Sequence, residues 1–167
     1  MRAILCLALS GLILMPAAAS AQGAKFLEKY SDWSTYMSTG ATKVCFAISQ
    51  PKASKPESAK RGPIYFYISH WPGDKVQNEV SVKIGYPFNE KQKANATIGT
   101  EKFELFTKGE GAFVEKAEAE AKFVETLRKG GQLLIEGQSR RGTKTTDEYS
   151  LNGLPKALDR IAKECAG

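Results

Sequence analysis

"EVSVKIGY", residues 79–86, alternates without interruption: Val80, Val82 and Ile84 fall on one side, Ser81, Lys83 and Gly85 on the other. A period of two puts successive side chains on opposite faces, so the stretch reads as a half-buried β-strand. Neighbouring stretches share its character. "DWSTYM" (32–37), "KVCFAIS" (43–49) and "PIYFYISHW" (63–71) precede it, rich in aromatic and β-branched residues. "ATIG" (96–99) and "KFELFTK" (102–108) follow, the latter with Phe103 and Leu105 on one side. "QLLIEGQS" (132–139) and "TTDEYSL" (145–151) complete the set. Turn-forming runs such as "STGATK", "PGDKVQN", "PFNEKQKAN" and "KGEG" separate the strands. The expected fold is mainly β, a single compact antiparallel β-sandwich or barrel-like domain.

The period changes twice. Phe113, Ala117, Ala121, Val124 and Leu127 recur at helical spacing, predicting an amphipathic helix over about 114–129 that stops at "KGG". In the last segment Leu154, Ala157, Leu158, Ile161, Ala162 and Cys165 share one face, predicting a second helix over 154–165 with Pro155 tolerated in its first turn. Between strands, "SQPKASKPESAKRGP" (49–63) carries Lys52, Lys55, Lys60 and Arg61 among prolines and small polar residues. It reads as an exposed loop with nothing to bury.

The N-terminus is of another kind. Arg2 precedes an uncharged apolar run from Ala3 to Met15, followed by "PAAASA". This is the pattern of a secretory signal peptide over residues 1–21, leaving residues 22–167 as one domain. The apolar run falls short of the ~20 residues that span a bilayer, so no transmembrane segment is expected. Export changes how the cysteines read. Once Cys6 leaves with the signal, Cys45 and Cys165 remain, and an oxidising compartment favours a structural disulfide between them. The formal charge of +6 becomes +5 without Arg2, which suits attraction to lipid headgroups or anionic glycans. No nucleic-acid-binding motif is present.

Chemistry finds little to work with. His70 is the one histidine, adjacent to Ser69, and neighbouring strand residues point to opposite faces. No G-x-S-x-G singles out a serine, and one histidine with two paired cysteines makes no metal cluster. No catalytic residue, metal ligand or cofactor is therefore expected. The densest polar stretch is "SRRGTKTTDEYSL" (139–151), between two strands. Its candidate ligand-binding residues are Arg140, Arg141, Gly142, Thr143, Lys144 and Asp147. An arginine fork with threonine hydroxyls suits a carboxylate or phosphate. The alternative is a charged hairpin that keeps strand ends soluble, with Asp147 or Glu148 paired to one of its arginines.

In order and spacing, "DWSTY", "KVCFAISQPK", "YFYIS", "EVSVKIGYPF", "ATIG", "KFELFT", "SRRGTKTTDEYSL" and "GLPKALDRIAKEC" resemble the invasion-associated locus B family of bacterial exported proteins. The most specific pieces are "KVCFA", "IGYPF", "RGT" followed by D-x-YSL, and the closing AL-x-x-I-x-x-x-C. The resemblance implies a β domain in the periplasm or at the cell surface, without a cofactor. It also lends weight to Arg141, Gly142, Thr143, Asp147 and Ser150.

The expectation is a non-enzymatic envelope or surface interaction protein. Its partner would be an anionic envelope or host-surface component, or another protein. An envelope hydrolase using a carboxylate pair and a stress-protective periplasmic protein are the alternatives.

Overall fold

The computed structural model describes residues 23–166, and the leader expected over residues 1–21 lies outside them. The strands are β1 (Lys25–Tyr30), β2 (Trp33–Thr39), β3 (Lys43–Ser49), β4 (Ala53–Lys55), β5 (Tyr65–Trp71), β6 (Val76–Lys83), β7 (Ala94–Ile98), β8 (Glu101–Lys108), β9 (Gly111–Phe113), β10 (Gln132–Gln138) and β11 (Lys144–Ser150). Two helices, α1 (Ala117–Lys129) and α2 (Leu154–Cys165), complete the chain. The strands form one sheet in the order β1-β2-β3-β5-β6-β9-β8-β7-β10-β11-β4. The strand pairings in it are antiparallel.

That order requires a curl. Strand β3 lies near one edge and β4 forms the other, yet only Gln50, Pro51 and Lys52 separate them in the chain. Four backbone steps reach about 14 Å at most, so the sheet bends until its far edge meets β3. Two hydrogen bonds fasten the closure: Trp33 Nε1 donates to the Ser150 carbonyl at 3.1 Å, and the Asp32 amide to that of Asn152 at 3.3 Å. Strand β8 makes the corner, pairing with β7 through Glu101–Leu105 and with β9 through Phe106–Lys108.

The alternation expected for residues 79–86 is realised, with Val80, Val82 and Ile84 in the core. Beside them on β5 are Phe66 and Ile68, and the same core holds Phe103 and Leu105 of β8 and Leu133 and Ile135 of β10. Helix α2 lays Leu154, Ala157, Leu158 and Ile161 into the same interior, and Cys165 at its end is bonded to Cys45 of β3. Helix α1 contributes Phe123, whose ring stacks on Phe103 with centroids 4.6 Å apart and meets Phe66 edge-on at 6.3 Å.

Two expectations need correction. Helix α1 starts at Ala117, because "GAF" (111–113) is the return strand of the β8–β9 hairpin and Phe113 packs against Phe106 at 5.4 Å. Its buried stripe is Phe123, Val124 and Leu127, while Ala117 and Ala121 are exposed. Strand β9 is short. It covers only Ser81–Lys83 of β6, and Glu120 of α1 reaches in to accept the Val80 amide at 2.7 Å. A backbone donor left over by a short strand is thus satisfied by a side chain. The second correction concerns segment 49–63, which does bury something. It contributes β4 to the sheet and sends the Arg61 side chain into the core, where it is 5% exposed.

A candidate anion-binding end

Strands β10 and β11 pair in register from Gln132↔Ser150 to Gln138↔Lys144, and residues 139–143 turn between them. The turn is held from within. The Ser139 amide donates to the Thr143 carbonyl at 2.8 Å, the Gly142 amide to the Ser139 carbonyl at 2.8 Å, and the Thr143 amide to Ser139 Oγ at 3.1 Å. Gly142 has φ of 89°, a left-handed conformation that explains glycine at this position. With the backbone groups occupied by one another, Arg140, Arg141, Thr143 and Lys144 are left exposed at the tip.

Other loops come to the same end. The Arg140 amide donates to the Pro87 carbonyl at 2.9 Å, and the Asn89 amide to the Gln138 carbonyl at 2.9 Å. That 87–90 segment bonds onward to the β8–β9 turn: the Phe88 amide donates to the Gly109 carbonyl at 2.8 Å, and the Gly109 amide to Glu90 Oε1 at 2.7 Å. The Ile84 amide donates to the Glu110 carbonyl at 3.0 Å, which brings the end of β6 alongside. Finally, the Gly62 amide donates to the Gly85 carbonyl at 2.7 Å. Gly85 has φ of 80°, and a Cβ there would overlap the Gly62 carbonyl, so only glycine allows the two segments to touch.

Exposed Lys83, Lys91 and Lys108 therefore stand around the hairpin cations, with Lys60 two residues from the Gly62–Gly85 contact. Among the described residues none of these seven cations forms a salt bridge. Elsewhere Lys122 pairs with Glu101, Arg128 with Asp159, Lys129 with Glu125 and Arg160 with Glu164, while Lys25, Lys29, Lys55, Lys75, Lys102, Lys116, Lys156 and Lys163 likewise form no salt bridge among the described residues. Lys93, next along, is paired with Glu104 at 2.6 Å. Seven cations from separate segments thus share one end, with Glu90 and Glu110 beside them.

Asp147 does not belong to that surface. Thr145, Asp147 and Tyr149 point inward from β11, and Asp147 is 0% exposed. Both of its oxygens engage Arg61, Oδ2 from Nη1 at 2.8 Å and Oδ1 from Nη2, while Ser54 Oγ donates to Oδ1 at 2.6 Å. The Arg61 guanidinium also lies 5.9 Å from the centre of the Tyr86 ring, and the Tyr86 hydroxyl is bonded to Thr145 at 2.6 Å. The aspartate's partner is accordingly Arg61, 86 positions away, and neither Arg140 nor Arg141. Burial raises the Tyr149 and Tyr86 hydroxyl pKa values, keeping both neutral beside the ion pair. His70 is buried in β5 with Nε2 3.2 Å from Asn78 Oδ1, and burial lowers its pKa so that the ring stays neutral.

Inspection of single turns in the sequence points to Arg140, Arg141 and Lys144 but misses Lys83, Lys91 and Lys108. The signal available was a lysine near the end of the 79–86 strand and one in each of the next two turn runs. Nothing local says that the turns meet.

The family model described as Invasion associated locus B (IalB) protein matches residues 33–162. Among solved structures, the crystal structure of invasion associated protein b from Bartonella henselae is similar in fold, with a TM-score of 0.59 at 18% identity. The alignment covers 84% of this chain and 98% of that one. A search of curated proteins returns no match. The expected mainly β fold with two helices is present, and the chain belongs to the invasion associated locus B family.

Proposed function

We propose that this protein is an exported, non-enzymatic interaction module of the bacterial envelope or cell surface. Its basic end binds an anionic component of the envelope or of a host surface. The observation that carries the reading is the convergence on one end of seven exposed cations from separate segments, none of them in a salt bridge among the described residues. Maintaining like charges together costs electrostatic energy, and an anionic partner would relieve it. Arg140 and Arg141 provide planar donors for carboxylate, sulfate or phosphate oxygens, and the lysines add point charges. Candidate residue Asp147 supports the site indirectly, by holding β11 and β4 beneath the hairpin. Its enclosure also argues against the carboxylate-pair hydrolase built on it.

The test is retention on heparin and on phosphatidylglycerol vesicles, comparing mature protein with the Arg140→Ala, Arg141→Ala, Lys144→Ala triple variant. At about 1 kcal/mol per cation near an anionic surface, affinity for the vesicles falls on the order of 100-fold. Raised salt reproduces the loss. Retention on both supports that is unchanged by the substitutions and by salt would overturn the proposal.

A further inference from the structure

The outward face of the first four paired strands carries a line of aromatic rings that the core does not use. Phe26 of β1, Tyr36 of β2 and Phe46 of β3 occupy one register row, Phe26 opposite Tyr36 and Tyr36 opposite Phe46. From Phe46 the line steps diagonally to Tyr67 and then to Tyr65 on β5. Adjacent centroids lie 5.5, 5.4, 6.2 and 5.8 Å apart, and Tyr36 and Phe46 are stacked with planes only 15° from parallel. Phe26 is 52% exposed at the sheet edge, and the other rings are half-buried. Beside them runs an open groove of about 740 Å³, edged by Lys29, Asp32, Ser34, Gln50 and Lys52.

We infer that this aromatic face is a carbohydrate-binding surface for a chain of pyranose rings. Two features select that occupant. First, the tyrosine hydroxyl bonds among the described residues are Tyr30 to Glu28 and Tyr86 to Thr145, leaving the hydroxyls of Tyr36, Tyr65 and Tyr67 free. An apolar helix laid on the face would strip water from those hydroxyls and return nothing. Second, the groove rim mixes carboxylate, amide, hydroxyl and ammonium groups, both donors and acceptors, with Asp32 and Lys52 already paired to each other. A pyranose presents C–H faces to aromatic rings and hydroxyls at its perimeter, which satisfies both sets together. A proline-rich peptide also stacks on aromatic grooves, but its prolines carry no N–H for the rim acceptors. The line crosses four adjacent strands, a span on the order of 15 Å at ordinary strand spacing, so it presents several rings to one extended chain.

The surface is separate from the Arg140–Arg141–Lys144 hairpin and does not depend on it. Neutral probes keep the two readings apart: chitohexaose, cellohexaose and maltohexaose, titrated calorimetrically at high salt. The expected result is saturable binding of at least one of them. Tyr36→Ala combined with Tyr67→Ala weakens it on the order of tenfold or more, and the hairpin triple variant leaves it unchanged. Phe26→Ala, at the exposed edge, provides a second variant should the double one not fold, and the melting temperature of each reports which case holds. Failure of all three sugars to bind, binding indifferent to these aromatic substitutions, or binding of decaproline in place of the sugars would overturn the inference.

Discussion

Replacing Asp147 with alanine tests the central claim about the 139–151 stretch, that its aspartate is a core residue. The substitution removes a carboxylate that is 0% exposed and leaves a guanidinium 5% exposed with no counter-charge. A guanidinium does not shed its proton in a protein, so the penalty cannot be escaped by titration. Ser54 Oγ loses its acceptor as well. Removing one partner of a buried pair costs about 3–5 kcal/mol. For a domain of this length that is a fall in Tm of roughly 6–20 °C. Asp147→Asn keeps the shape and an acceptor but not the charge, and most of the loss should persist. Arg61→Met combined with Asp147→Leu removes both charges, and should recover at least half of the stability lost by the alanine variant. Urea and thermal unfolding followed by far-ultraviolet circular dichroism give the numbers. An alanine variant within about 1 kcal/mol of the parent, the worth of an exposed pair, would refute the reasoning. So would a double variant no more stable than the single.

Replacing Cys45 and Cys165 together by alanine opens a link across 120 positions, and the chain-entropy model puts the loss at about 4–5 kcal/mol. Intact mass of envelope-purified protein should rise by about two protons on reduction, and free thiols before reduction would refute the bond. Glu120 gives a pH prediction of definite sign. Burial, aided by the Glu79 charge, raises its pKa above the ordinary 4.5 and outweighs the Val80 amide bond that lowers it. A raised carboxyl pKa means the folded state holds the proton more tightly. That stabilisation is complete below about 4.5 and is lost as pH rises through the raised value. Glu120→Gln, which still accepts from Val80, should therefore be more stable than the parent at neutral pH and indistinguishable from it in acid. Equal stability curves across the range would exclude this. Neutralising Lys83, Lys91 and Lys108 to glutamine in addition to the hairpin triple substitution should weaken retention on anionic vesicles further. Stability should remain within about 0.5 kcal/mol, as expected of exposed positions.

Much of the fold was readable because it rests on local periodicity. The alternation of Val80, Val82 and Ile84 and the helical stripe of Leu154, Leu158 and Ile161 both report which face is wet, and both faces were as expected. Where periodicity misled, a neighbour had intervened. Phe113 continues the helical spacing of Val124 and Leu127, but the β8–β9 turn captured it as a strand. "TTDEYSL" contains its own clue, since Thr145, Asp147, Tyr149 and Leu151 alternate like an inward face. A charge at the third of those positions disguises the pattern, because a buried aspartate makes sense only once its partner is known.

The chain's own pattern determined a β domain, its two helices and, given export, the Cys45–Cys165 pair. These follow from side-chain period, composition and the count of cysteines. Tertiary structure alone decided that Arg61 reaches Asp147, that β4 closes the sheet beside β11, and that basic turns far apart in sequence share one end. It also decided that rings from β1, β2, β3 and β5 fall into one line. Each of these depends on strand order and on the curl of the sheet, and both are set by how the whole interior packs.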